Sequence, residues 1–375
     1  MHNILDYLTW RGDLPLERVP FCEVDHLVLC RLAYIPLAGA VPAALDAAPV
    51  SLGDAVELVL AEYGKKDGPE LRMKEDIRLL KLLRESSRFT GMRLTGYVDI
   101  FDEHAQEQFS AVTVLLPDGS FYVAFRGTDG TLVGWKEDFN MSFAASVPAQ
   151  DDAVAYLRKA AECFSGPIRL GGHSKGGNLA VYAAAFCGQD IQERLLEVRN
   201  MDGPGFTEDK VALPEYVRIM DRVHTLLPKS SVVGMLLQHA EDFSVVNSSR
   251  VGLFQHDLYS WEVVRGGFST VESRTNSSVY LDTALKDWLA KLSDEQREKF
   301  VDGVYLVLSA SGSKTLKELF SVRNPVALLR ALSQLDEETR ANVLEAFRLL
   351  KQSLRSSLPV LLDGLRLGPL QLGGR

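Results

Sequence analysis

The stretch that most constrains this 375-residue chain is Ile168-Arg169-Leu170-Gly171-Gly172-His173-Ser174-Lys175-Gly176-Gly177. A short β-prone run leads in, and an alanine-rich helical run, Asn178 to Cys187, leads out. Ser174 sits in a Gly172-x-Ser174-x-Gly176 frame between them. A strand that turns at once into a helix leaves no room for side chains at the flanking positions, and glycine meets that demand. The strained turn holds the serine hydroxyl out above the sheet edge. The first helical amides, with the positive end of the helix dipole, face any negative charge that develops there. The spacing therefore marks Ser174 as a candidate nucleophile and the Lys175 backbone N–H as a candidate oxyanion donor. The five-residue frame alone arises by chance in many chains, and the readable strand and helix around it are what give it weight.

The rest of the chain places this turn in an alternating α/β context. The first 85 residues read as helices: Val24 to Leu32, a second beginning at Ser51, and a third from Lys74 to Leu83, with a polar loop at 64–70. Strands follow at Leu94 to Phe101, Ala111 to Leu116 and Phe121 to Phe125, the last two joined by a Pro117-Asp118-Gly119-Ser120 turn. Asp151 is expected to cap a helix running to about Phe164. Further strands are expected at Leu195 to Met201, Val223 to Leu227, Phe243 to Asn247 and Trp261 to Val264. Such alternation predicts a mostly parallel sheet covered by helices. Beyond about residue 278 the pattern is helical again, with a Ser293/Gln296 capping box and an Asp336 cap. The tail 364–375 is rich in glycine and leucine. The expected organisation is one α/β unit over 1–277, including a helical lead-in over 1–90, and a helical extension over 278–375.

Composition narrows the function classes. The net charge is -9, and there is no long Lys/Arg stripe, which argues against a nucleic-acid partner. The four cysteines, at 22, 30, 163 and 187, form no CxxC pair, so metal clips and redox dithiols lack support. No run of roughly 18 apolar residues occurs, and the first residues lack the basic and apolar regions of a signal peptide. A cytoplasmic protein without stable membrane insertion is expected, with no cofactor and no metal.

A second segment, Phe125-Arg126-Gly127-Thr128, ends a strand upstream of the Ser174 turn. Together with Gly172-His173-Ser174-Lys175-Gly176-Gly177 it resembles the class 3 (fungal-type) lipases of the α/β-hydrolase superfamily. The chain resembles more closely a set of uncharacterised bacterial lipase-like proteins. These share Trp10-Arg11-Gly12-Asp13, Gly203-Pro204-Gly205-Phe206 and Gln255-His256-Asp257 with Trp261. The resemblance covers about residues 3–265 and, more weakly, the helical tail. It implies an α/β-hydrolase fold and a second oxyanion donor at Thr128, through its backbone N–H and its hydroxyl. Arg126 reads as a structural salt-bridge residue.

In this fold the chain order is serine, then acid, then histidine. The downstream histidines are His224, His239 and His256. His224 lies inside an apolar strand, and His239 follows Met235-Leu236-Leu237-Gln238 as a possible helix-end residue. His256 lies in a late loop that can return over Ser174, and the resemblance selects the same residue. His173 is expected to pack under the turn. The acid is harder to assign. The class 3 position corresponds to Leu227-Pro228-Lys229-Ser230-Ser231-Val232-Val233, which has no carboxylate. Asp202, ending the strand after the nucleophile helix, is the best substitute, weighed against an Asx turn with Gly203. Asp242 and Asp221 are fallbacks, and Ser230 or Ser231 could orient His256. The Lys175 side chain reads as a solvated helix-terminal lysine.

The expected function is serine-dependent cleavage of a carboxylic ester, lipid-like or short-acyl, through a Ser174–His256–Asp202 triad. Thioester cleavage, acyl transfer, and a catalytically silent binding or regulatory module remain open at this stage.

Overall fold

The computed structural model describes residues 1–65, 71, 73–309 and 325–359; most of the polar loop 64–70 and the tail 364–375 lie outside them. Four helices lead in: α1 (Ile4–Arg11), α2 (Glu23–Leu32), α3 (Leu52–Glu62) and α4 (Lys74–Glu85). Strand β1 (Val50–Ser51) precedes α3. Then come β2 (Arg93–Asp102), β3 (Glu107–Leu115) and β4 (Phe121–Phe125). Next are α5 (Leu132–Asn140), α6 (Pro148–Cys163), β5 (Ile168–His173), α7 (Lys175–Phe186), β6 (Leu195–Met201), β7 (Val223–Pro228) and β8 (Asp242–Val246).

Among the described residues the sheet has nine strands in chain order, β1 to β8, and then an edge strand, Thr270–Val271. The strands β4 to β8 run parallel, and antiparallel neighbours extend the sheet at both ends. The sheet is thus mostly parallel through its centre and covered by helices, as the alternation predicts. β4 shows why both faces are covered. Tyr122 and Ala124 join one buried cluster, built largely by the lead-in helices, while Phe121, Val123 and Phe125 join the other, with α6 and α7. Alternate residues of a strand face opposite sides, so a wholly apolar strand needs a helix layer on each. Each fully buried large side chain there contributes about 1.5–3 kcal/mol.

Several boundaries differ from the sequence reading, among them the start of β3, at Glu107 rather than Ala111. The helix assigned an Asp151 cap starts earlier, with Pro148 in its first turn and the Gln150 side chain accepting from Val147 N–H at 3.2 Å. Asp151 lies inside the first turn. The Ala-rich helix starts at Lys175, directly after Ser174, rather than at Asn178. The Trp261–Val264 strand shrinks to Val263–Val264, in a separate hairpin with Gly267–Phe268.

The C-terminal extension opens with the Asn276–Ala290 helix, followed by Asp294–Ser309, Pro325–Gln334 and Glu337–Ser356. The Ser293/Gln296 box and the Asp336 cap both form. Trp288, Phe300, Val301, Val343 and Ala346 make a core of their own, onto which Phe139 and Phe143 pack. Two sets of bonds fasten this body to the sheet unit. Lys136 Nζ meets Asp302 at 2.7 Å, and Arg297 donates to the Ser142 carbonyl at 2.9 Å. On the other side, Ser278 Oγ donates to the Ser231 carbonyl at 2.7 Å and Thr275 N–H to the Lys229 carbonyl at 2.8 Å. Among the described residues no helix is long and apolar enough to cross a membrane.

Candidate active site

Parallel strands bring their carboxyl ends to one edge, and the singled-out residues gather there. Arg126 to Thr128 follow β4, Ser174 follows β5, Asp202 follows β6, Ser231 follows β7 and His256 follows β8. Asp221 and Asp242 lie just before β7 and at the start of β8, at the opposite edge. His224 lies near the start of β7 and meets Ser244 Oγ at 2.9 Å. Topology alone removes these three from the group around Ser174.

Ser174 holds φ 57° and ψ -133°, a left-handed backbone that costs energy for any residue with a Cβ. Its N–H donates to the Met201 carbonyl at 2.9 Å, so β6 fixes the turn. A Cβ on Gly172 would run into the Gly176 backbone, and one on Gly176 into the Phe125 carbonyl. The glycine frame is therefore a packing requirement of strand against helix.

Asp202 is wholly buried. Its Oδ2 lies 2.6 Å from His256 Nδ1, and its Oδ1 accepts from Ser231 Oγ at 2.5 Å. With a carboxylate as partner, Nδ1 carries the hydrogen and Nε2 is left as the basic nitrogen. The turn at Gly203 is made by Asn200, whose Oδ1 accepts the Gly203 N–H at 2.8 Å, so the Asx role belongs to Asn200 and not to Asp202. Ser231 Oγ thus bonds Asp202 rather than the His256 imidazole. Its side chain also accepts from Gly234 N–H at 3.1 Å.

His256 ends the short helix Gly252–His256 and is partly exposed. Gln255 and Trp261 build its loop: Gln255 Oε1 accepts from Ser230 N–H at 3.0 Å, and its carbonyl takes the Trp261 Nε1–H at 2.9 Å. Asp257 turns away, capping Tyr259 N–H and pairing with Arg250. His239 lies in a loop rather than at a helix end, bonded to Glu241 at 2.8 Å and to the Gly234 carbonyl at 2.6 Å.

The loop after β4 runs against the serine. A Cβ on Gly127 would approach the Ser174 Cβ to 2.9 Å. Thr128 Oγ1 donates to both oxygens of Asp138, at 2.8 and 2.6 Å. The hydroxyl hydrogen is thus committed to Asp138, leaving the backbone N–H as Thr128's donor. Burial pushes the Asp138 carboxyl up to about 6, partly offset by Lys175 and by the Thr128 bond. Arg126 pairs with Asp99 at 2.7 and 2.9 Å, the structural role read from the sequence.

The Lys175 side chain contradicts its sequence reading. It is fully buried, bonding Glu137 at 2.5 Å and the Gln108 carbonyl at 2.6 Å. Glu137 also accepts from Gln108 and Ala149 N–H groups. The lysine ties α7 to β3, α5 and α6. As the first residue of α7, Lys175 carries an N–H with no acceptor within its own helix.

Three residues here were not singled out from the sequence. Glu137 and Asp138 sit on α5, following Phe125-Arg126-Gly127-Thr128, where the acid after Trp135 was the available signal. Tyr34, just past α2, gave none. Its hydroxyl meets His173 Nδ1 at 2.9 Å.

A family model described as Mbeg1-like matches residues 83–306, more than half of the chain. No curated protein matches. Among solved structures, the native Rhizomucor miehei lipase propeptide complex is similar, with a TM-score of 0.34 and 14% identity. That match covers 43% of this chain and 58% of the other.

Proposed function

Since the chain belongs to the Mbeg1-like family and has a lipase-like relationship, we propose that it is a serine hydrolase that cleaves carboxylic esters. The observation that carries this reading is the 2.6 Å bond between the buried Asp202 and His256 beside a serine held at φ 57°. His256 Nε2 takes the Ser174 proton as Oγ attacks the ester carbonyl. The negative oxygen is held by the Lys175 and Thr128 backbone N–H groups. Asp202 keeps the imidazole in the tautomer with a free Nε2 and stabilises the imidazolium that forms. His256 then gives the proton to the leaving alcohol, and the acyl group stays on Ser174. A water deprotonated by His256 releases the acid. The substrate is a lipid-like or short-acyl ester, and the chemistry calls for no cofactor.

The silent-module reading drew on the missing carboxylate in 227–233. Against that reading stands the 2.6 Å contact between His256 and Asp202, which arrives from β6. A fluorophosphonate probe tests the proposal. The wild type should be labelled, and Ser174→Ala should not. A folded wild type that resists labelling refutes it.

A further inference from the structure

One buried imidazole in this region has no part in the steps above. His173 lies 7% exposed, immediately before Ser174. Its Nε2 is 2.8 Å from the backbone carbonyl of His256, and the two rings sit 4.4 Å apart at 36°. A carbonyl only accepts, so Nε2 bears the hydrogen and Nδ1 is the acceptor. Nδ1 faces the Tyr34 hydroxyl at 2.9 Å. That hydroxyl also lies 3.2 Å from the His173 carbonyl and accepts from Gly127 N–H at 3.2 Å. The chain of bonds therefore runs from the loop that carries Thr128, through Tyr34 and His173, to the backbone of His256. Burial and the neighbouring charges of His256 and Arg31 hold the His173 imidazole well below the ordinary histidine range, which keeps the ring neutral and this donor–acceptor order fixed.

The far end of the chain is anchored in the lead-in helices. Arg31 stands over the Tyr34 ring at 4.9 Å and over the Tyr259 ring at 5.2 Å. Its guanidinium pairs with Asp76, which also accepts from the Tyr259 hydroxyl at 2.7 Å. Tyr259 lies three residues past His256. The lead-in helices thus reach the His256 loop both through its own backbone and through its continuation.

We propose that His173 and Tyr34 are positioning residues that set the place of the His256 imidazole relative to Ser174 and of the Gly127–Thr128 amides relative to the reacting carbonyl. This rests on the hydrolase reading and deepens it. The bonds of this network run between protein groups. It joins two groups that must each stay near 3 Å from the reaction centre, and a displacement of about 1 Å there costs on the order of 10²-fold in rate.

The test uses the full chain and three variants. Phenylalanine at 173 keeps the ring and removes both bonds. Glutamine offers an N–H and a carbonyl oxygen and can replace both. Tyr34→Phe deletes one oxygen. Two readouts are taken: kcat and KM for a p-nitrophenyl ester, and the far-downfield proton resonance of the short His256–Asp202 bond, which needs no turnover. His173→Phe should lower kcat by about 10²-fold with KM nearly unchanged and broaden or shift the resonance. His173→Gln should restore both toward wild type, and Tyr34→Phe should fall between. Should His173→Phe fail to fold, Tyr34→Phe carries the decision. Wild-type kcat and an unmoved resonance in His173→Phe or Tyr34→Phe overturn the proposal, as does equal loss in the Phe and Gln variants of residue 173. If the wild type neither turns over ester nor takes the fluorophosphonate probe, the hydrolase reading fails, while the resonance still decides whether His173 positions His256.

Discussion

Replacing Asp202 by asparagine isolates what the carboxylate contributes. Both of its oxygens accept hydrogen bonds, from Ser231 Oγ and from His256 Nδ1. Asparagine has one acceptor oxygen. With that oxygen kept on Ser231, the amide NH₂ faces Nδ1, which must then surrender its hydrogen. The proton moves to Nε2, where the lone pair is needed. A histidine held in the wrong tautomer costs about 10⁴-fold in kcat, or about 5 kcal/mol at 1.36 kcal/mol per decade. In the opposite amide orientation the tautomer survives, but the negative charge that stabilises the imidazolium is gone. Stability should change little, since Asp202 holds φ 55° and asparagine tolerates that backbone where alanine does not. The assay is steady-state turnover of a p-nitrophenyl ester beside a thermal melt, with Asp242→Asn and Asp221→Asn as controls at the far edge of the sheet. A folded Asp202→Asn variant within tenfold of wild-type kcat would refute the assignment, as would a comparable loss in either control.

Two other perturbations follow from the same geometry. Lys175→Met strands the buried Glu137 carboxylate and should cost about 3–5 kcal/mol in urea unfolding, much of it recovered by adding Glu137→Gln; equal losses in the single and double variants would contradict the pairing. Asp138 titrates near 6 in the fold against an ordinary 3.8, so its charged form is disfavoured when native. Its stability penalty grows as pH rises from about 4 to about 6 and is complete above that. Asp138→Asn should therefore be more stable than wild type by about 3 kcal/mol at pH 7 and equal to it below about pH 3; a gap that does not vary with pH rules this out.

Much of the site could be read from the chain because its parts are local or tied to strand ends. The glycine frame around Ser174 answers to a close approach between neighbours in sequence, and Asp202 is placed by β6 alone. Chain order left His224, His239 and His256 open; the late loop and the resemblance pointed to His256, whose Nδ1 meets Asp202. The Lys175 side chain was misread because its partner, Glu137, belongs to a different helix, and nothing local distinguishes a buried lysine from a solvated one. Tyr34 escaped for the same reason, since it meets His173 far along the chain, whereas Asp138 lies only ten residues past Thr128 and the acid after Trp135 was its available signal. The shifted start of α6 has a local cause, since proline in the first turn and Gln150 folding back on Val147 define that end better than Asp151 does.

The C-terminal helices hold the Ser142 and Lys136 region with Arg297 and Asp302, and the Lys229–Ser231 turn with Thr275 and Ser278. The first region belongs to the helix that carries Asp138, the partner of Thr128; the second carries Ser231, the partner of Asp202. One body therefore acts as a tie-rod between two segments of the sheet edge that carries Ser174. Local opening of these helices would release both segments together, so the spacing between the partner of Thr128 and the partner of Asp202 depends on the stability of this body and not on the sheet alone.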